Sequence, residues 1–254
     1  MRLISYHHKG EPGVGVMTDD TRFVALTKAA PDLPRTLKQI LALRDGLDRV
    51  RVAVKGRPAD MGLNDVALDP VIPDPYVTWA LALNFKRHIE ETRLTTSTQY
   101  PHRFIRHPGS VVGHLQPLLC PPPDLERAYD YEGELAVVIG RGGRHIPVDR
   151  ANDHIAGYAC YNEGSTRNFQ SHNRQFGLGK NFEKSGSFGP WLVTPDEAGD
   201  IYRKELVTRL NGKERQRTRL DDLLFSVEKT IAYVSSGHLL RPGELSAVAA
   251  QLRE

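Results

Sequence analysis

The sequence predicts an α+β protein built mainly from β-strands, with a small α+β domain at its N-terminus. Three observations favour this fold class. Short apolar runs that end at glycine or proline recur along the chain, and a helical period occurs among the strand-like runs of the first third. In addition, 17 prolines and 22 glycines are spread over 254 residues without forming a low-complexity tract. Such a composition is typical of a turn-rich globular protein with many short elements.

The first third of the chain supplies the elements of the small domain. Residues 2–6 and 22–26 are strand-like runs on either side of a loop rich in glycine and aspartate. Residues 36–43 have the periodicity of a helix. Two strands and a helix are therefore expected before the middle of the chain.

A proline-rich stretch separates this unit from the rest. Three prolines within residues 70–75 indicate a stiff, extended linker. We therefore expect a small domain at residues 1–72 and a larger domain at residues 73–254. After the linker, residues 78–83 form a candidate for a buried strand, and residues 104–113 predict a strand, a turn and a second strand.

Charge and composition argue against several classes of partner. The net charge is +3, and basic and acidic residues are interspersed, so neither a nucleic-acid nor a membrane partner is expected. Cys120 and Cys160 are too few for a disulfide framework. No apolar run approaches the ~20 residues of a membrane span, and the first residues lack the core of a signal peptide. We therefore expect a cytoplasmic protein.

A run that begins acidic and becomes apolar, residues 130–140, is predicted to be a strand covered on both faces. Glu132 and Glu134 are two residues apart, so their side chains would point the same way, roughly 6–7 Å apart along the strand. Two carboxylates beside a core would repel each other unless a positive charge neutralises them. A hard divalent cation such as Mg²⁺, Mn²⁺ or Ca²⁺ would do so. The alternative is a strand end with two solvated glutamates.

Further positions are candidates for chemistry. If residues 84–91 are helical, His88 and Glu91 share a face, and a carboxylate beside an imidazole makes a general base for water. The alternative for this pair is a surface helix with mixed charges. Glu163 follows a buried strand, a position from which a carboxylate can point into a pocket. Lys180 lies in a glycine-flanked loop without the spacing of a nucleotide-binding loop, so its alternative is an ordinary loop lysine.

The last part of the chain adds a hairpin and helices. Asn211 and Gly212 follow a strand-like run and predict a tight hairpin turn. Residues 223–234 have the pattern of an amphipathic helix. Residues 245–254 are rich in alanine and end in charged residues, which favours a helix.

Taken in order, these segments resemble the fumarylacetoacetate hydrolase family over residues 79–244. The motifs that carry the resemblance are Asn84-Phe85-x-x-His88-x-x-Glu91, Asp130-Tyr131-Glu132-Gly133-Glu134-Leu135, Gly157-Tyr158, Asn162-x-x-Ser165-x-Arg167, Gly179-Lys180, Gly189-Pro190-Trp191, Asn211-Gly212 and Leu240-x-Pro242-Gly243. The small domain also resembles the N-terminal domain of larger family members. The resemblance implies a mixed, mainly β roll that holds one Mg²⁺ or Mn²⁺, or Ca²⁺, between three carboxylates and forms a homodimer.

The resemblance also implies roles for individual residues. By their positions in the motifs, Glu132, Glu134 and Glu163 would be the metal ligands, Lys180 a cationic partner, His88 and Glu91 the water-activating dyad, and Arg167, Gln170 and Phe85 residues of the substrate side. The implied activity is hydrolysis of a C–C bond in a small 2-oxo or 1,3-diketo acid, of the acylpyruvate or fumarylacetoacetate type, through a metal-stabilised enolate. The same enolate would serve a decarboxylase, an isomerase or a dehydratase. A non-catalytic subunit is the third alternative.

Three departures from the family pattern bear on activity. Glu163 stands where the family usually has aspartate and is one methylene longer, so the ion or the backbone must shift to keep metal bonds of ~2.0–2.6 Å. Asn168 also replaces an aspartate, and we expect Arg167 to lose an anchoring charge. Residues 245–254 do not match the glycine-threonine-proline loop and closing strands that follow Glu244 in the family. We therefore expect a C-terminally shortened or divergent member with sheet edges that need covering.

Overall fold

The computed structural model describes residues 1–86, 99–125, 128–173 and 175–248. The predicted dyad of His88 and Glu91 lies outside the described residues. The strands are β1 (Arg2–His8), β2 (Glu11–Met17), β3 (Arg22–Ala25), β4 (Met61–Gly62), β5 (Ala67–Leu68), β6 (Thr78–Ala82), β7 (His102–Arg106), β8 (Val111–Val112), β9 (Tyr129–Asp130), β10 (Gly133–Ile139), β11 (Ile155–Asn162), β12 (Ser165–Thr166), β13 (Gly186–Phe188), β14 (Leu192–Val193), β15 (Glu205–Leu210), β16 (Lys213–Arg219) and β17 (Leu245–Val248).

Short helices connect the strands. The α-helices are α1 (Leu26–Ala29), α2 (Leu37–Ala42), α3 (Gly46–Val54), α4 (Arg167–Gln170), α5 (Pro195–Ala198) and α6 (Val227–Gly237). Single turns of 3₁₀-helix lie at Leu63–Asp65, Pro108–Ser110, Leu178–Lys180, Ile201–Arg203 and Leu220–Asp222, with a longer 3₁₀ segment at Val148–His154. None of the helices in the described ranges has the length and apolar character needed to cross a membrane.

One mixed sheet of 13 strands organises the described part of the chain. Its main path runs in the order β4, β3, β2, β1, β14, β11, β10, β17, β6, β7, with β5 paired to β1 and β13 paired to both β11 and β8. Two small sheets lie beside it, one formed by β9 and β12 and the other by β15 and β16. This sheet-rich α+β architecture confirms the predicted fold class.

The main sheet continues across the predicted domain boundary. β1 pairs with β14, with Leu3 opposite Leu192. Val71 and Ile72, in the proline-rich stretch, are fully buried in a core that also contains Ala136. The division into two domains stays a prediction, and the N-terminal strands extend the same sheet that carries the candidate site.

β10 lies near the middle of this sheet, and all seven of its residues are buried. Alternate side chains pack into two apolar cores, with Ala136 and Val138 on one side and Leu135, Val137 and Ile139 on the other. The predicted strand covered on both faces is therefore confirmed, because side chains of period two enter a different core on each side.

The acidic start of the predicted strand is interrupted. The sequence predicts one strand over residues 130–140, whereas the structure has β9 and β10 with Tyr131 and Glu132 between them. Asp130 pairs with Ser165 in the small sheet of β9 and β12. The chain therefore changes sheets immediately before β10, and this places Glu132 at the junction.

The predicted helices are present with adjusted bounds. α2 confirms the helix expected at residues 36–43, and the Thr36 hydroxyl accepts a hydrogen bond from the Gln39 N–H at its N-terminus. The helix expected at residues 223–234 begins later, because the Ser226 hydroxyl caps α6 by accepting from the Lys229 N–H. β15 and β16 confirm the predicted hairpin, whose turn residues Asn211 and Gly212 both have positive φ.

The helix predicted for the C-terminal residues is wrong in its described part. Leu245–Val248 form β17, which lies between β10 and β6 and is antiparallel to the first and parallel to the second. Pairing on both sides outweighs the helix propensity of alanine, which is a weak preference of under ~1 kcal/mol per residue. Residues 249–254 lie outside the described part of the chain.

Candidate metal centre and active site

Three glutamates converge at one end of β10 and β11. One carboxylate oxygen from each of Glu132, Glu134 and Glu163 lies within 4.8 Å of the others, and all three side chains are buried. The antiparallel register brings them together, because the Glu163 N–H donates to the Glu132 carbonyl oxygen at 2.8 Å. Glu132, which precedes β10, and Glu134, which lies within it, thus lie beside Glu163, which directly follows β11.

Several oxygens of this cluster lack a hydrogen-bond donor among the described residues. They are both carboxylate oxygens of Glu134 and the Oε1 atom of Glu163. Burial, and then the charges of Glu163 and Glu132, raise the pKa of Glu134 well above its usual value. Burying carboxylates without donors is unfavourable unless a cation or proton compensates them. The unpartnered oxygens and the all-carboxylate donor set fit a hard divalent cation such as Mg²⁺, Mn²⁺ or Ca²⁺.

Lys180 packs against two of the three glutamates. Its Nζ atom donates to both carboxylate oxygens of Glu132 at 3.1 Å and to Oε2 of Glu163 at 2.6 Å. The side chain is only 2% exposed. Burial alone would favour the neutral amine, but the charges of Glu163 and Glu132 raise the pKa of Lys180 above its usual value. Lys180 is therefore a buried ammonium group within the carboxylate cluster.

The turn that carries Lys180 depends on a close backbone approach. The Thr166 hydroxyl donates to the Gly179 carbonyl oxygen at 2.9 Å, and a Cβ on Gly179 would lie 2.2 Å from the Gln170 backbone nitrogen.

We expect Gly179→Ala to lower the free energy of unfolding by about 1–3 kcal/mol through overpacking. Urea denaturation tests this, with Gly237→Ala as a control because an added Cβ there meets nothing within 4 Å. Equal stability of the two variants would contradict the expectation.

Arg167 is anchored by Asp130, which corrects the expectation drawn from Asn168. Its Nε and Nη2 atoms donate to Asp130 Oδ2 at 2.9 and 2.7 Å, so the guanidinium keeps a carboxylate partner. Nη1 lies 2.5 Å from Glu132 Oε1 and donates to Gln170 Oε1 at 2.9 Å. Sequence analysis missed this role of Asp130, although the residue opens the acidic motif.

Arg106 is a second group that sequence analysis missed. Its guanidinium is 1% exposed, and Nη1 donates to the Gly164 carbonyl oxygen at 3.0 Å. Nη1 also lies 3.6 Å from Glu163 Oε1, an ion-pair distance that is too long for a hydrogen bond. The available signal was the alternation of β7, which buries Phe104 and Arg106 on one face. The Lys180 Nζ atom lies 5.5 Å from the centre of the Phe104 ring.

Comparison with known proteins bears on the family. The family model described as fumarylacetoacetate (FAA) hydrolase C-terminal matches residues 77–248. The chain belongs to the fumarylacetoacetate hydrolase family.

Two relatives and a solved structure match this chain over more than nine-tenths of its length. The mitochondrial oxaloacetate tautomerase Fahd2a of Rattus norvegicus is 31% identical over 252 residues, which cover 96% of this chain and 79% of the relative. Oxaloacetate tautomerase YisK of Bacillus subtilis is 30% identical over 251 residues, which cover 92% and 83%. The fumarylacetoacetate hydrolase structure from Exiguobacterium antarcticum superposes with a TM-score of 0.80 at 27% identity and covers 99% of this chain and 86% of that chain. This family therefore includes both tautomerases and hydrolases.

Gln170 and Phe85, the other two residues that the family resemblance implies, lie in different surroundings. Gln170 contacts the cluster through Arg167. Phe85 is 1% exposed, pairs with Leu223 and packs in the apolar core beside α6, so its ring contacts aliphatic side chains. Its assignment to the substrate side stays a prediction.

The described part of the cluster is rich in opposing charges. It contains four carboxylates, from Asp130, Glu132, Glu134 and Glu163, and three cationic side chains, from Arg106, Arg167 and Lys180. Lys180 and Arg167 hold the pKa of Glu132 below its usual value although burial would raise it. The deficit of positive charge falls on Glu134, which has no ion-pair partner among the described residues. A bound cation would restore the balance there.

Proposed function

We propose that this chain is a divalent-metal-dependent enzyme that interconverts the keto and enol forms of a small 2-oxo dicarboxylic acid of the oxaloacetate type. The observation that carries the proposal is the buried triad of Glu132, Glu134 and Glu163, with three unpartnered carboxylate oxygens and the Lys180 ammonium alongside. The two tautomerases that align with more than nine-tenths of the chain support this substrate class.

The metal would have one chemical task. Glu132, Glu134 and Glu163 would hold a divalent cation, which would supply Lewis-acid stabilisation of negative charge on the oxygen of a 2-oxo group. Glu134 lies in β10, Glu132 directly precedes that strand and Glu163 directly follows β11, and all three are buried, which limits rearrangement when charge develops.

Lys180 supplies fixed positive charge to the same region. Its ammonium group is buried and held by Glu132 and Glu163, so little reorganisation is needed when an oxygen nearby becomes negative. Keto–enol conversion moves one proton from the carbon next to the carbonyl to the carbonyl oxygen by way of water, and the oxygen is negative between the two transfers. A buried ammonium stabilises that charge more strongly than water does.

Arg167 is suited to hold a substrate carboxylate. Its side chain is 33% exposed, and its donors are oriented by Asp130 and Gln170. Asp130, Gln170 and Glu132 take four of its five N–H donors, so one Nη2 N–H is left to donate a charge-assisted hydrogen bond to a substrate carboxylate. Substrate binding at Arg167 would place the 2-oxo group toward Glu132, which contacts the same guanidinium.

The test follows enol–keto conversion of oxaloacetate by ultraviolet absorbance, using protein first stripped of metal. We expect activity to depend on added Mg²⁺ or Mn²⁺ and to be lost on chelation. Glu11→Gln serves as a control because Glu11 is an exposed carboxylate on β2. A conversion rate that is changed neither by the chelator nor by Glu134→Gln would reject the proposal.

Hydrolysis is the second candidate, and the family likeness to the Exiguobacterium antarcticum hydrolase supports it. It would need His88 and Glu91 to activate water, a role that stays a prediction. Product analysis with an acylpyruvate separates the two, because hydrolysis adds water and yields two acids whereas tautomerisation leaves the mass unchanged. Metal binding without turnover of either substrate would favour the non-catalytic alternative.

The homodimer and the cytoplasmic location also stay predictions, and light scattering tests the first.

A further inference from the structure

We infer that Gln216, on β16 of the exposed hairpin, is a positioning residue that fixes the backbone between Glu132 and Glu134. It would thereby set the relation between two carboxylates of the candidate metal centre. This inference rests on the proposed function, because the spacing of these carboxylates matters only if they bind an ion.

A buried hydrogen bond joins the hairpin to the acidic motif. The Gly133 N–H donates to the Gln216 side-chain oxygen at 3.0 Å. Gln216 is 2% exposed, whereas its neighbours Arg215 and Arg217 are exposed. β16 therefore directs one polar side chain inward at the position that faces Gly133.

The sheet explains why this N–H needs a side-chain acceptor. The Glu163 N–H donates to the Glu132 carbonyl oxygen, so in an antiparallel ladder the next N–H, that of Gly133, points away from β11. On that other side, the pairing of β17 with β10 among the described residues starts at Leu135. Gln216 supplies the acceptor for this N–H, and a buried N–H left unsatisfied would cost stability.

Steric contact adds to the hydrogen bond. Thr208 lies opposite Gln216 in the hairpin, and its Oγ1 atom lies 2.1 Å from where a Cβ on residue 133 would be. Only glycine fits this approach. The ladder of the hairpin is irregular between Thr208 and Arg209, next to the same contact. The hairpin therefore rests directly on the peptide between the two glutamates, and a change in its seating would move both carboxylates.

A glutamine suits this position chemically. Its amide oxygen accepts from the Gly133 N–H without adding a further carboxylate beside Glu132 and Glu134. Groups that orient metal ligands without touching the ion affect metal affinity by about 10–100-fold. Gln216 acts through the backbone, so its removal should show in metal binding even without substrate.

The experiment compares Mn²⁺ binding to the metal-free full chain by electron paramagnetic resonance. We expect Gln216→Met, which keeps the length of the side chain but removes the acceptor, to raise the Kd by about 10–100-fold. Thr218→Val is the matched control, because Thr218 is buried on the same strand two residues away and faces the same side. Its Kd should stay within about 2-fold of wild type, and exchange of the Gly133 amide hydrogen should accelerate only in Gln216→Met.

The outcomes separate the positioning role of Gln216 from the proposed function. An unchanged Kd in Gln216→Met, or equal losses in both variants, would overturn the positioning role and leave the proposed function standing. A wild-type chain that does not bind Mn²⁺ would overturn both. If Gln216→Met does not fold, Gln216→Asn is measured instead, since it withdraws the oxygen by about 1.5 Å. We expect a loss of about 3–10-fold for that variant, and wild-type affinity there would also overturn the inference.

Discussion

Replacing Lys180 by methionine is expected to lower the turnover of oxaloacetate enol by at least about 10³-fold and to destabilise the metal-free protein by about 3–5 kcal/mol. The change removes the ammonium that donates to Glu132 and Glu163 and leaves two buried carboxylates with less compensation. Added Mg²⁺ should recover part of the stability, because the cation replaces some of the lost charge, but should not recover turnover. Urea denaturation with and without Mg²⁺, together with the absorbance assay, measures both effects.

The control is Lys184→Met, which removes a lysine that is half-exposed and lies four residues away. It should leave both quantities near their wild-type values, since exposed ion pairs contribute about 0–1 kcal/mol. If Lys180→Met unfolds at the same urea concentration as this control, the ammonium does not neutralise the cluster and the electrostatic account fails.

Replacing Glu134 by glutamine is expected to change stability and function in opposite directions. The metal-free variant should be more stable than wild type by about 1–3 kcal/mol, because an unpartnered buried carboxylate is replaced by a neutral amide that can donate to Glu132 or Glu163. Its Mn²⁺ affinity should fall by at least about 100-fold and its turnover by at least about 10³-fold, because a charged ligand is lost. Thermal unfolding with and without Mn²⁺ checks the two signs.

Glu11→Gln again supplies the comparison, with no expected change in melting temperature or in its response to Mn²⁺. A Glu134→Gln variant that is less stable than wild type without metal would show that the carboxylate has a compensating partner. A variant that still gains wild-type stability from Mn²⁺ would remove Glu134 from the ligand set.

Local sequence rules predicted part of the glutamate site. Period-two alternation predicted that Glu132 and Glu134 share a side, although β10 starts only at Gly133, and the end of a buried strand predicted that Glu163 can point into a pocket. Their meeting at one site was implied by the family resemblance. Arg106 and Asp130 were missed for the opposite reason. Arg106 contacts Gly164, 58 positions away, and Asp130 contacts Arg167, 37 positions away. Such partners are set by how strands fold together, which residue periodicity does not encode.

The elements of the fold also divide into those with a local sequence signal and those set by distant contacts. Helix α2, the hairpin turn and the apolar strand β10 carry local signals in capping, turn chemistry and periodicity, and all three are present. β17 carries a misleading local signal, since alanine favours helix. Its conformation depends on β6 and β10, which pair with it on both sides, and propensity could not reveal that competition.

The place of β17 has a consequence for how the polypeptide assembles. Leu245 pairs with Thr78, a separation of 167 positions, and the same strand fills the gap between β6 and β10. Contacts this distant in the chain form slowly because a long loop must close first. During synthesis, the strand that bears Glu134 would therefore wait for one neighbour until nearly all of the described polypeptide had left the ribosome. In that interval the edge of this strand would be unpaired, and unpaired strand edges are prone to aggregate.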